Sequence, residues 1–319
     1  MIYIVRALAK IDQEESVVGL AASHQSGKLT MTKITETDTD EETRIHRAVS
    51  DDGTEIAGRV HGDGPSLVLV PGAMGDGEFV WDPLLPSLTD RFTCYTMSVR
   101  SRGLSGHSTD LSTERRIADV VAFVESIGEP AGLLGWSQGG QLVLGAAERT
   151  DAVSAVVAYE PAVLEATSEE EFAELIDAVT RVGELAAEDR PVDAARSFFE
   201  WVSTEEEMDE MDEAMMANFL EGCSANVQVL LQEVEGLDTE EGTSPTEAAE
   251  LAKIAAPALL LHGDRSDPWF INGIHHVAQH VTDSQVRGID GTAHMGPIHS
   301  PGAVAEEVTR FLVATQESP

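Results

Sequence analysis

The sequence predicts an α/β fold: a mainly parallel central sheet covered by helices on both faces, with a helical cap inserted between two late strands. Two observations predict it. Short apolar runs of strand length alternate with helical patterns along most of the chain. One long region, residues 161–250, breaks the alternation and holds no convincing strand. That is far more than an ordinary connection between two strands needs.

Residues 1–42 stand apart, holding three of the four lysines (Lys10, Lys28 and Lys33) and ending in a polar run. They read as a disordered or extended tail. The acidic bias begins only after Met31, which makes that residue a second candidate for the start of translation. The α/β core is expected over 43–160 and 251–315. It opens with TRIHRAVS, the turn DDGT and EIAGRVHG, two alternating runs around a tight turn. SLVLV (66–70) is apolar throughout, the pattern of a strand buried on both faces. FTCYTMSV (92–99), AGLLG (131–135), AVSAVVAY (152–159), APALLLHG (256–263) and SQVRGID (284–290) follow. Helical patterns at 113–127, 139–149 and 301–315 lie between or after them. Inside the expected cap, Pro191 sits at a first helical turn. Met208, Met211, Met215 and Met216 fall near one helical stripe, suited to an acyl pocket or to plain packing.

The charge limits what the protein can bind. Asp and Glu number 57 against 20 Lys and Arg, a net −37. Such a surface opposes nucleic acid and anionic membranes. Abundant carboxylate with only four lysines resembles the proteins of salt-accumulating halophiles, in which salt screens the self-repulsion. No apolar stretch reaches the length of a membrane span, and the first residues lack the pattern of a secretion signal, so a cytoplasmic location is expected. Cys94 and Cys223 form no C-x-x-C, and Cys94 reads as a buried thiol. His276 and His280 would share a helix face, but the local sequence supplies no third metal ligand. The oligomeric state is left open.

Chemistry enters at LLGWSQGGQLVLG (133–145), where Ser137 lies between Gly135 and Gly139. A G-x-S-x-G match alone carries little. Here it sits between an expected strand and an expected helix, the context of a nucleophile elbow. The sharp turn strains the serine backbone and leaves no room for side chains two positions away on either side. The helix N-terminus then favours negative charge at the serine.

With these motifs the chain resembles the α/β-hydrolase superfamily, as a member with a serine nucleophile and a helical cap. The resemblance spans about residues 43 to 315. PGAMGDGEFVWDPLLPSL after SLVLV looks like the family's oxyanion loop, which implies the N–H groups of Ala73 and Gln138 as oxyanion donors. SVRSRGLS is similar to the family's D-x-R-G-x-G-x-S stretch, departing at Ser98 and Ser101. IDGTAHMGPIHSP looks like the loop that delivers the catalytic histidine, which implies His294 rather than His299 as general base. Two acids compete. In many members the acid stands where HGDRSDPWF has Ser266, with Asp267 one residue later; in others it follows the sixth strand, where AVVAYEPA supplies Glu160. The resemblance implies acyl transfer to water from a small-molecule carboxylic ester or lactone, with no metal or organic cofactor. An acyltransferase, a cofactor-free perhydrolase of the haloperoxidase type, and a non-catalytic binding protein on the same fold are the competing readings.

Overall fold

The computed structural model describes residues 44–237 and 242–316. The expected N-terminal tail and the choice between Met1 and Met31 lie outside the described residues. Eight strands form one sheet: β1 (Arg44–Val49), β2 (Glu55–His61), β3 (Ser66–Val70), β4 (Thr93–Met97), β5 (Ala131–Trp136), β6 (Val153–Tyr159), β7 (Ala258–Gly263) and β8 (Ser284–Ile289). Their spatial order is β1-β2-β4-β3-β5-β6-β7-β8. β2 runs antiparallel to both β1 and β4, and every other pairing is parallel.

The period of two along a strand builds both layers of the core. On β3, Leu67 and Leu69 join the apolar cluster on one face while Val68 and Val70 join that on the other. Helices α2 (Thr113–Ile127) and α3 (Gln138–Arg149) cover the second face through Ile117, Phe123, Leu142 and Val143. The first face takes α1 (Leu85–Leu88) and the C-terminal α12 (Pro301–Gln316), the latter through Val304, Val308 and Phe311. Helix α2 is stopped by Gly128 in the left-handed conformation.

Between β6 and β7 the described chain is helical: a 3₁₀ turn (Leu164–Ala166), α4 (Glu169–Ala187), α5 (Pro191–Val202), α6 (Glu205–Glu210), α7 (Glu213–Ser224), α8 (Val227–Leu237) and α9 (Ala248–Leu251). Ser168 and Glu171 close a capping box at the start of α4, and Pro191 opens α5. The methionine stripe does not form as one face. Met208 lies on α6, Met211 in the break before α7, and Met215 and Met216 on α7; Met216 is buried and Met215 exposed. Asp212 caps α7 with its carboxylate, which restarts the helix and breaks the register. Helix α10 (Pro268–His280) and the short α11 (Gly296–His299) complete the chain. No helix among the described residues is long and apolar enough to cross a membrane.

The strand order places the site. The chain leaves β3 toward β4 on one side and returns to β5 on the other, so a crevice opens at the carboxyl ends of β3 and β5. The loops after β3, β5, β6, β7 and β8 all emerge at this end of adjacent strands.

Candidate active site

Ser137 follows β5 directly, with φ 56° and ψ −120°. A serine in this region is strained, and the packing around it enforces the conformation. A Cβ on Gly135 would strike the Gly139 carbonyl and lie 2.6 Å from Val143 Cγ2; one on Gly139 would strike the carbonyls of Val70 and Pro71. Both glycines therefore let α3 approach the sheet closely. The loop after β3 comes just as near, since a Cβ on Gly72 would sit 3.1 Å from Ser137 Cβ. Ala73 and Gln138 flank Ser137 at the wall of one cavity. Gln138 is the first residue of α3, whose leading N–H groups have no acceptor within the helix.

His294 is 2% exposed and lies in the loop after β8. Its Nδ1 is 2.8 Å from Oε2 of Glu160, which is fully buried at the end of β6. The other carboxylate oxygen of Glu160 accepts the Gly263 N–H at 2.8 Å and the Ser266 hydroxyl. The structure thus brings Glu160 and His294 together. Asp267 is instead the N-cap of α10, its carboxylate accepting the Trp269 N–H at 2.9 Å. His299 lies on α11, with Nε2 3.6 Å from Glu210. The His294 ring stacks on Phe270 at 4.0 Å, and the Trp136 indole N–H donates to the His294 carbonyl at 2.8 Å. Trp136 is a buried support for the histidine loop.

Three residues matter here that the sequence does not single out. The first is Glu207 of α6. Its buried carboxylate accepts the N–H of Ala293 at 2.9 Å and that of Met295 at 3.1 Å, on either side of His294. Burial pushes this carboxyl above its ordinary range, against the pull of those two hydrogen bonds. Thr204-x-x-Glu207 has the spacing of the Ser168–Glu171 capping box, so in sequence it reads as a helix start. The other two are Arg116 of α2 and Glu233 of α8, which line the cavity with Ser137. Glu233 receives Arg102 Nη2 at 2.6 Å and Gln138 Nε2 at 3.2 Å, and lies 3.3 Å from Arg116 Nη1. Burial opposes its ionisation, but the two guanidinium groups outweigh that and hold its carboxyl below the ordinary value.

The cavity offers about 130 Å³ of free space. Phe172, Ile176, Phe198, Trp201 and Leu230 give it a largely apolar wall from α4, α5 and α8. An apolar cavity of about 150 Å³ holds one benzene, so this one suits a short acyl group. The methionines of the expected stripe do not line it. His276 and His280 are engaged with backbone carbonyls, and among the described residues no cluster could hold a metal ion.

The comparisons place the fold among known proteins. A pimeloyl-[acyl-carrier protein] methyl ester esterase of Stenotrophomonas maltophilia is 39% identical over 89 residues, which is 28% of this chain. The match spans 32% of that curated relative's own length. Among solved structures, an alpha/beta hydrolase from Sphaerobacter thermophilus is 26% identical with a TM-score of 0.65, covering 84% of this chain and 100% of that one. An esterase from a Rhodococcus species shares the fold at 23% identity and a TM-score of 0.70, covering 85% of this chain and 99% of that one. The profile of the alpha/beta hydrolase family matches residues 67–307, and the chain belongs to that family.

Proposed function

We propose that this protein hydrolyses a small carboxylic ester or lactone through an acyl-enzyme, with Ser137 as nucleophile, His294 as general base and Glu160 as the acid of the triad. The observation that carries the reading is the fully buried Glu160 carboxylate 2.8 Å from His294 Nδ1; Ser137, whose backbone N–H donates to the Tyr159 carbonyl just before Glu160, is strained and lines a largely apolar cavity. Glu160 engages Nδ1 of the imidazole, which leaves Nε2 as the nitrogen that would take the proton of Ser137. As Ser137 Oγ attacks the substrate carbonyl, its proton passes to His294 Nε2, and the buried carboxylate stabilises the imidazolium. The carbonyl oxygen takes up negative charge against the N–H groups of Ala73 and Gln138. The tetrahedral adduct collapses, and the leaving alkoxide takes the proton from His294. Water then gives a proton to His294 and attacks the acyl carbon, releasing the acid and restoring Ser137. The helices between β6 and β7 act as a cap that shapes the acyl pocket, and Asp267 serves as a helix cap. The Stenotrophomonas esterase and the Rhodococcus esterase support ester chemistry on this scaffold.

A fluorophosphonate probe tests the assignment. Wild-type protein in high salt should be labelled covalently, and Ser137→Ala should not. Folded wild type that resists the probe, or a Ser137→Ala protein that still reacts, overturns it.

A further inference from the structure

The cavity that holds Ser137 is largely apolar; besides Ser137 itself, Gln138 and Gln141, the polar part of its wall comes from Thr113, Arg116 and Glu233, of which Arg116 and Glu233 are the ionisable groups. Arg116 is 2% exposed, so water does not solvate its guanidinium. Its Nη2 donates to Thr113 Oγ1 at 3.2 Å, but Nε and Nη1 make no hydrogen bond. Nη1 has only an ion contact, 3.3 Å from Glu233 Oε2. That carboxylate is already committed, through Oε1 to Arg102 and through Oε2 to the side chain of Gln138. Two guanidinium groups thus share one carboxylate. Asp76 lies near Arg102, where burial raises its carboxyl above the ordinary value, and the ion-pair partner of Arg116 is Glu233. Buried donors without acceptors are costly, and a desolvated cation without its own anion more so.

The chain of contacts connects this cation to the reaction centre. Arg116 touches Glu233, Glu233 accepts from Gln138, and Gln138 follows Ser137. We propose that Arg116 forms a carboxylate-binding subsite in the acyl pocket, so that the preferred substrates are short acyl esters bearing a free carboxylate at the far end of the chain, the monoesters of small dicarboxylic acids. This rests on the hydrolase reading for its chemistry. A carboxylate bound against this wall matches the charge that Glu233 balances only in part, and guanidinium presents its donors in the geometry a carboxylate accepts. The short apolar cavity fills with the methylenes between the two carbonyl carbons. A plain fatty ester would leave the cation unpaired.

The test uses the monomethyl esters of succinate, glutarate and adipate, each against the uncharged methyl ester of equal acyl length. Binding to the Ser137→Ala protein is measured by calorimetry at fixed high salt, and turnover of the same esters is measured with wild type. A hydrogen bond to a charged group is worth enough for about ten-fold or more in affinity, so at least one carboxylated ester should bind that much tighter than its partner. Ser137→Ala/Arg116→Gln should lose the preference. Equal binding of all pairs to folded Ser137→Ala protein overturns the subsite, as does a preference that survives Arg116→Gln. Discriminating binding with no wild-type turnover upholds the subsite and overturns the hydrolase reading. Turnover without discrimination does the reverse.

Discussion

The hydroxyl of Ser266 donates to Oε1 of Glu160, the carboxylate whose other oxygen faces His294. Ser266 is the position at which the family resemblance of the sequence leads one to expect an acid. Here the carboxylate that meets His294 comes from the end of the neighbouring strand, β6, and Ser266 on the loop after β7 donates to it. The two strands are paired in parallel, with Tyr159 opposite Leu261, so their carboxyl ends lie side by side. Either end can reach the same histidine, and the hydrogen bonds choose one. If Glu160 is the acid, Glu160→Ala should lower turnover by about 10³–10⁴-fold with the fold intact. Asp267→Ala should leave turnover near normal and cost about 1 kcal/mol of stability, the loss of a helix cap. Ester hydrolysis and thermal melting of the two variants give the answer directly.

Glu207 couples the helices between β6 and β7 to the histidine loop. Removing it in Glu207→Ala leaves the buried N–H groups of Ala293 and Met295 without their acceptor, at about 1–3 kcal/mol each. We expect a lower melting temperature together with a loss in kcat, since His294 lies between those two amides. Glu207→Gln keeps an acceptor oxygen and should recover most of kcat. If both variants fall equally, Glu207 acts by its charge and not by holding the loop.

Stability should carry an acid limb that depends on Glu233. Its carboxyl is held below its ordinary value of 4.5 in the folded state by Arg102 and Arg116, in spite of burial. A depressed carboxyl contributes stability above the unfolded value, and that contribution is lost as pH falls through the folded one. Denaturant unfolding measured in high salt on either side of pH 4.5 should therefore show a steeper acid loss in wild type than in Glu233→Gln. Parallel curves would mean that this carboxylate is not preferentially ionised in the folded protein.

The net charge of −37 makes salt a structural variable. If the halophile reading holds, the melting temperature should climb with KCl well past physiological levels, toward about 1 M, where the Debye length falls to about 3 Å. Buried ion pairs such as Arg100–Asp119 at 2.6 Å are screened little and should not drive this rise. A melting temperature that stays level from low salt to molar KCl would sink the reading.

The sequence by itself determined the architecture and pointed to two of the candidate site residues. Apolar runs of five to seven residues had to become strands buried on both faces, as Ser66–Val70 is throughout and Val153–Tyr159 is apart from Ser154 near its start. Gly135 and Gly139 around Ser137 marked a turn that only small residues permit, and the glycine-led loop before Met295 marked His294. These signals are local: each depends on chain spacing within a dozen residues. What only the tertiary structure decided is long-range. Glu160 and Asp267 are equally acidic in sequence, and the packing of β6 against β7 and the reach of the β8 loop put one carboxylate, not the other, against the imidazole. Glu207 lies in an acidic run, TEEEMDE, where its spacing from Thr204 marks a helix start and nothing marks it for the histidine loop. It acquires its role because α6 turns that one carboxylate inward onto amides 86 and 88 residues away. Arg116 likewise reads as one charge on an amphipathic helix. Burial beside Glu233, contributed from a distant helix, removes it from water and leaves it with half a partner. Periodicity reports which face of an element is buried; it carries no information about which buried charges meet across the core.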